Sequence, residues 1–237
     1  TNGTNDYWEG LENLTAFSFF LKPIHNIEPY RAITVVDVYR YVTGHYAKKQ
    51  TLTLRSIESS KEAKQYKTTH FDYCTFSGIF RKRNEREIIT HSGLMCLDFD
   101  HVTEPEALKQ KLINHEYFDT ELMFTSPSGD GVKWIISIDL KNWEHSRYFK
   151  SVANCIQATG LPPVDSSGSD VARSCFLPYD PQAYINPKYE EYVQENIFTP
   201  RMPLLIRWLQ HPCIQFIYIV IWKKMWSALY MKSKSKE

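Results

Sequence analysis

The chain of 237 residues has no pair of cysteines at CxxC spacing; Cys74, Cys96, Cys155, Cys175 and Cys213 lie far apart. That argues against a cysteine-built zinc site and a disulfide framework, and it suits a reducing, cytoplasmic setting. Net charge is nearly absent as well, at +1 with histidines neutral, so any affinity for nucleic acid has to come from local patches. Long hydrophobic runs are missing. The apolar stretch CIQFIYIVIW at 213–222 stops at Lys223 and Lys224, short of the roughly 20 residues a membrane helix needs, so no membrane partner is expected. The opening TNGTNDYWEG has neither the basic segment nor the apolar core of a signal peptide, and without an initial Met it reads as the start of a trimmed piece. Repeats and long low-complexity segments are also lacking. What remains, 43% hydrophobic and 23% charged residues, is the ordinary make-up of a globular chain with one substantial core.

The pattern of residues predicts an α+β fold. Thr34 is a candidate N-cap for a short helix that closes near Gly44, and the polar stretch after it reads as helix plus loop. FDYCTFSGIF at 71–80 is rich in aromatic and β-branched residues and reads as a strand. From residue 93 the elements follow as strand MCLDF, a helix ALKQKLI behind a candidate Thr103/Glu106 capping box, strand ELMFTS and strand VKWIISIDL. A helix carrying Phe149, Val152, Ala153 and Ile156 ends at Gly160, and ARSCFLPY at 172–179 reads as a fourth strand. This β-α-β-β-α-β order is the split βαβ arrangement, a four-stranded antiparallel sheet backed by two helices with the first and third strands central. The expected organisation is one main domain over 1–200, with an N-terminal extension at 1–90 and the split βαβ core at 91–182. A tail at 201–237 follows, helical or a linker, with seven Lys or Arg against one acid.

Three features on this framework carry chemistry. The first is GLMCLDFDH at 93–101. Alternate side chains of a strand share a face, so Asp98 and Asp100 point the same way and repel unless a cation or solvent separates them. The second is the turn SPSGDGVK at 126–133. Gly129 and Gly131 permit close approach of backbone to a ligand, the Ser126 and Ser128 hydroxyls can donate to phosphate, and Lys133 adds a point charge. The third is VDSSGSDVAR, with Asp165, Asp170 and Arg173. Alone, each has an ordinary explanation: a solvated strand end, a turn, a cap. Together, three carboxylates beside a basic, Gly-rich turn are what metal-assisted nucleotidyl transfer requires, with Mg²⁺ or Mn²⁺ held by the acids. The cluster RKRNER adds Arg81, Lys82, Arg83 and Arg86, which is either a solvated turn or a weak DNA contact.

Those motifs resemble the archaeo-eukaryotic primase superfamily, the primase-polymerases, in which DxD is followed by an SxGxGxH-like turn and then by an hD and D-x-x-R segment. Here they read DFD at 98–100, SGDGVK at 128–133 and VDSSGSDVAR at 164–173. FDYCTFSGIFRKRN, HSGLMCLDFDH, LMFTSPSGDGVKWII, CFLPYDP and YINPKY look most like the primase-like N-terminal domain that mobile elements carry ahead of VirE-type ATPase regions. The likeness spans about residues 10–195. It implies an RRM-like catalytic sheet, with Asp98, Asp100 and Asp165 as metal-binding catalytic carboxylates and Ser126, Ser128, Lys133 and Arg173 holding the triphosphate. It also implies DNA template and primer, nucleoside triphosphates, and a C-terminal helicase or ATPase region as partners. Lys133 stands where many members have His, and Lys is the poorer proton shuttle near neutral pH.

Two rival readings accompany this one. Clustered carboxylates serve a metal-dependent nuclease or nickase equally well. A non-catalytic single-strand-binding module with an RRM-like sheet ranks third, because GVKWIISI lacks alternating aromatics and bare carboxylates would repel a phosphate backbone.

Overall fold

The structure, a computed structural model, describes residues 15–141 and 144–194. In chain order the strands and helices are β1 (Ala16–Phe20), β2 (Arg31–Thr34), α1 (Val35–Thr43), α2 (Lys48–Arg55), α3 (Ser60–His70), β3 (Tyr73–Thr75), β4 (Gly78–Phe80) and β5 (Ile88–His91). They continue as β6 (Leu94–Phe99), α4 (Pro105–Ile113), β7 (Thr120–Thr125), β8 (Val132–Ser137), α5 (His145–Ala158), β9 (Cys175–Phe176), β10 (Tyr184–Ile185) and α6 (Glu190–Gln194). The fold is α+β, with helices beside antiparallel sheets. One four-stranded sheet runs β2-β1-β3-β9, a second runs β10-β7-β8-β6, and β4 pairs with β5.

The period-2 alternation of β6 sorts its residues into two layers. Met95, Leu97 and Phe99 pack with Leu108 and Leu112 of α4 and with Phe149, Val152 and Ile156 of α5. All three are fully buried, each contributing roughly 1.5–3 kcal/mol on leaving water. Leu94 and its neighbours Leu122, Phe124 and Ile135 face the other way. They share a core with Phe17, Phe19, Cys74 and Phe76 of the first sheet's side and with Val35, Val36, Val38 and Val42 of α1. Lys133 and Asp98 belong to this second face, at the end of the β6–β8 pair, where Asp98 is directly opposite Lys133.

Local signals formed as expected at α1. Thr34 accepts from the Asp37 amide while the Asp37 carboxylate accepts from the Thr34 amide, a reciprocal cap, and Gly44 closes the helix. Elsewhere the structure departs from the sequence reading. The Thr103/Glu106 capping box does not form; α4 starts with Pro105 at its first position and Glu104 as N-cap, with no side-chain cap bond. FDYCTFSGIF is two short strands rather than one. It bends at Phe76–Ser77, and a Cβ at Gly78 would lie 2.2 Å from the Thr90 carbonyl oxygen, so the backbones of β4 and β5 approach as only glycine allows.

The largest correction concerns the fourth strand. Cys175–Phe176 does not join the second sheet; it pairs with Tyr73 and Cys74 of β3 in the first. The remaining place in the second sheet is taken by β10 on the far side of β7, which leaves β6 at the edge instead of the centre. Beside β6 the chain instead forms Ser166–Ser169, a 3-10 turn capped by the Asp165 side chain. Asp, Ser and Gly offer the backbone local hydrogen bonds that compete with a ladder. Only one ladder-like bond survives, from the Asp165 amide to the Asp98 carbonyl at 2.8 Å. The predicted tail at 201–237 lies outside the described residues.

Candidate active site

Strand β6 delivers Asp98 near its C-terminal end and Asp100 just beyond it, while the bond from the Asp165 amide to the Asp98 carbonyl brings the third acid to the edge of the sheet. One oxygen each of Asp98, Asp100 and Asp165 can be chosen so that all lie within 4.8 Å of one another. The three residues predicted as a carboxylate group therefore converge, although β9 does not carry Asp165 there as a paired strand.

Each of two acids is already matched to a cation. The Lys133 ammonium contacts Asp98 Oδ2, and with side-chain exposures of 12% and 14% the pair is nearly dry. Asp98 Oδ1 is buried and accepts no hydrogen bond from any described residue. A buried carboxylate oxygen without a donor is costly, and it is the kind of atom a cation would satisfy. Arg173 Nη2 lies 3.2 Å from Asp165 Oδ2. Asp165 also accepts from the Ser167 amide at 3.0 Å and from the Ser167 hydroxyl. Burial opposes its charge, but these bonds, with Arg173 and Lys133 nearby, hold its pKa below the usual carboxylate value. Burial lowers the pKa of Lys133, and the charges of Lys67 and Arg173 act in the same direction. Asp100 is exposed.

The turn between β7 and β8 is held mainly by its own atoms. Ser126 is buried and its hydroxyl accepts from the Gly131 amide at 3.1 Å. Ser128 donates to Asp130 Oδ1 at 2.6 Å, so the 3.1 Å contact between the two hydroxyls is a donation from Ser126 to Ser128. Gly129 has φ +93, a left-handed conformation, and a Cβ at Gly131 would lie 2.6 Å from the Phe99 carbonyl. Both glycines thus serve the turn itself, and Ser126 is a strut rather than a free donor. Of the predicted phosphate contacts, Lys133 and Arg173 stand beside the carboxylates, whereas the hydroxyls are engaged inside the turn.

The basic cluster divides. Arg81 pairs with Glu87 at 3.4 Å, and Arg83 donates to the Ile24 carbonyl at 3.2 Å with its guanidinium over the Tyr73 ring. Lys82 and Arg86 are exposed. Arg83 and Arg86 line a cleft of about 440 Å³ whose other wall includes Asp170 and Ala172, the loop that continues to Arg173.

Three participants were given no role in the sequence reading. Arg55, at the end of α2, donates to the carbonyls of Pro127 at 3.2 Å and Ser126 at 3.3 Å, fixing the turn from outside. Lys67 of α3 lies near enough to Lys133 to act on its charge. His101, directly after DFD, pairs with Asp130 at 2.7 Å. Only His101 was legible, as the H of DFDH; the other two are remote in sequence.

The donor set suits a hard divalent cation: three carboxylates, one with an orphaned buried oxygen, and no thiol or imidazole among them. The profile of the family described as BT4734-like, N-terminal domain, matches residues 65–185, while no curated protein and no solved structure matches the chain. That match covers just over half of the 237 residues and takes in all three carboxylates, Lys133 and Arg173: the chain belongs to the BT4734-like N-terminal domain family.

Proposed function

We propose that this domain is a nucleotidyltransferase of the primase-polymerase type, extending or starting strands on a DNA template from nucleoside triphosphates with Mg²⁺ or Mn²⁺. The observation that carries the reading is the convergence of Asp98, Asp100 and Asp165 within 4.8 Å, with Lys133 and Arg173 against two of them. An RRM-like core is the finer reading of the fold. Adjacent β6 and β8 with α4 and α5 behind them support it, and the edge position of β6 is where this chain departs from the full four-stranded order.

In this reading Asp98, Asp100 and Asp165 would hold the metal, which when bound would supply activation of a 3′-oxygen and neutralisation of phosphate charge. Asp98 and Asp100 approach from the strand, and Asp165 from the sheet edge, held by Ser167. Lys133 and Arg173 bind and orient phosphate oxygens, Lys133 as a point charge and Arg173 as a fork. Arg55 keeps the turn against β8 so that Lys133 stays opposite Asp98. Template and primer would enter past the cleft of Arg83 and Arg86, and a C-terminal helicase or ATPase region is the expected partner of such a domain.

One observation favours the nuclease or nickase reading as second. The Ser126 and Ser128 hydroxyls are engaged within the turn, which leaves fewer free donors for a triphosphate than the motif suggests. A primer-extension assay with labelled nucleotides and Mn²⁺, resolving degradation on the same gel, separates the two. Products longer than the primer support the polymerase reading, and only shortened strands would replace it with hydrolysis.

A further inference from the structure

The two cations in contact with the candidate site are each bonded to a carboxylate that the metal reading needs. Lys133 is on Asp98 Oδ2 and Arg173 is 3.2 Å from Asp165 Oδ2. Lys133 cannot be at full strength on a phosphate and on Asp98 at once, and the same holds for Arg173 and Asp165. We propose, resting on the metal reading above, that Lys133 and Arg173 are resident counter-ions that compete with a divalent cation for Asp98 and Asp165 and are freed for phosphate when it enters.

The charge balance supports this. The three carboxylates and the two cations bonded to them sum to one net negative charge, the more distant Lys67 left aside, and that balance disfavours a polyanion. A divalent cation reverses that sign, and it also releases the two basic side chains. The triphosphate then meets two free cations that were internally neutralised before. Geometry keeps the freed groups local. Lys133 is held opposite Asp98 by the β6–β8 pairing, and the Arg173 backbone is anchored by its N–H donating to the Asp170 carbonyl at 3.0 Å. The orphaned Asp98 Oδ1 completes the argument: Lys133 satisfies one oxygen of that carboxylate and leaves the other without a donor among the described residues. The resident pair is therefore a partial substitute for a cation able to bridge more than one acid. Metal and triphosphate affinities must consequently be coupled, and the coupling is reciprocal.

The test is calorimetric titration of Mn²⁺, without nucleotide, into the full chain and the variants Lys133→Met, Arg173→Gln and Asp98→Asn, each checked for folding by its thermal melt. Removing a competitor should tighten metal binding. Lys133→Met should bind Mn²⁺ about tenfold more tightly, the size of one charge-assisted contact. Arg173→Gln, at a more exposed pair, should gain about two- to threefold. Asp98→Asn should weaken binding by at least about tenfold. In Lys133→Met, added Mn²⁺ should also raise affinity for a non-hydrolysable nucleoside triphosphate less than it does in the parent. If the parent binds Mn²⁺ and Asp98→Asn loses it, yet Lys133→Met and Arg173→Gln bind no more tightly than the parent, the competition is refuted and the metal site stands. If parent and both cation variants are folded and none takes up Mn²⁺ at millimolar concentration, the metal reading falls and the competition with it.

Discussion

Gly168 and Phe149 touch so closely that a Cβ at residue 168 would lie 2.5 Å from the phenyl ring. Gly168 belongs to the 3-10 turn that Asp165 caps, and Phe149 to the buried face of α5. The helix layer therefore sets the depth at which the third carboxylate sits. Gly168→Ala should push the turn outward, costing about 1–3 kcal/mol of stability as an overpacked contact does. It should weaken Mn²⁺ binding as well, although residue 168 offers no ligand. A melt and a metal titration on the same variant check both, and a stability loss with unchanged metal affinity would uncouple the turn from the site.

The same turn is tied to a histidine pair with assignable protons. The Gly93 amide donates to His91 Nδ1 at 3.0 Å, so His91 Nε2–H donates to His145 Nδ1 at 3.0 Å, and His145 Nε2–H donates to the Gly168 carbonyl at 3.2 Å. Burial first, and His145 second, lower the pKa of His91 to about 4, and burial lowers that of His145. Because the folded pKa of His91 is below the ordinary 6.5, the unfolded chain binds more protons between those values. The His91 contribution to stability is therefore full above about pH 6.5 and is lost as pH drops towards 4, below which Asp165 and Asp180, with their lowered pKa values, carry any further loss. Melting temperature against pH should show this slope, and His91→Leu should flatten it.

Asp180 and Lys109 form a second buried pair at 3.3 Å, with side-chain exposures of 8% and 4%. Asp180 also accepts from the Thr125 amide at 2.6 Å, locking the loop after β9 onto β7 near the start of the turn. Burial raises its pKa, but the Thr125 amide and Lys109 outweigh this and keep it below the usual value. Asp180→Ala leaves the Lys109 ammonium on Glu106 at 2.9 Å and on the Thr125 hydroxyl at 2.7 Å but strips the Thr125 amide of its acceptor, and should destabilise the fold by about 1–3 kcal/mol. Asp180→Asn, which keeps an acceptor, should lose less. Chemical denaturation of the two variants gives the comparison; equal losses would mean that the charge, and not the acceptor or its packing, is what residue 180 supplies.

For the proposed chemistry, Asp98→Ala should abolish primer extension while leaving some metal-independent affinity for DNA. Lys133→Ala should weaken triphosphate binding by about 1.5–3 kcal/mol, as expected for a hydrogen bond to a charged group. Arg55→Ala, remote from any phosphate contact in this reading, should raise KM for the nucleotide through a loosened turn. Calorimetry beside extension rates distinguishes these cases. Triphosphate affinity unchanged in Lys133→Ala would make the β7–β8 turn a structural hairpin only.

Arg83 is engaged with Ile24 and Tyr73, so the exposed Lys82 and Arg86 are the members of RKRNER open to DNA. Replacing Lys82 and Arg86 by Gln should reduce the salt slope of DNA binding by about 0.9 for each phosphate that is no longer neutralised. Arg81→Gln, which removes a partner of Glu87, should change the slope less. An unaltered slope in the double variant would leave the cluster without a role in binding.

Much of this was legible in local sequence. The Thr34–Asp37 cap, the β7–β8 hairpin and the alternation that puts Asp98 opposite Lys133 all arise within a few residues or between neighbouring strands, where period and turn chemistry speak directly. The convergence of Asp165 with Asp98 was also suggested by motif order. Its route was not: the sequence pattern of ARSCFLPY is that of a strand, but it does not say which sheet will accept it. That choice was made by β3, whose Tyr73 and Cys74 pair with Phe176 and Cys175, and by the capped Ser166–Ser169 turn that occupies the edge of β6 instead. The contribution of Arg55, 71 residues from Ser126, likewise exists only once the chain is folded. Local hydrogen bonding and side-chain period leave a trace in neighbouring residues, whereas partner choice between distant segments depends on which buried faces close together, and no short stretch of the chain contains that information.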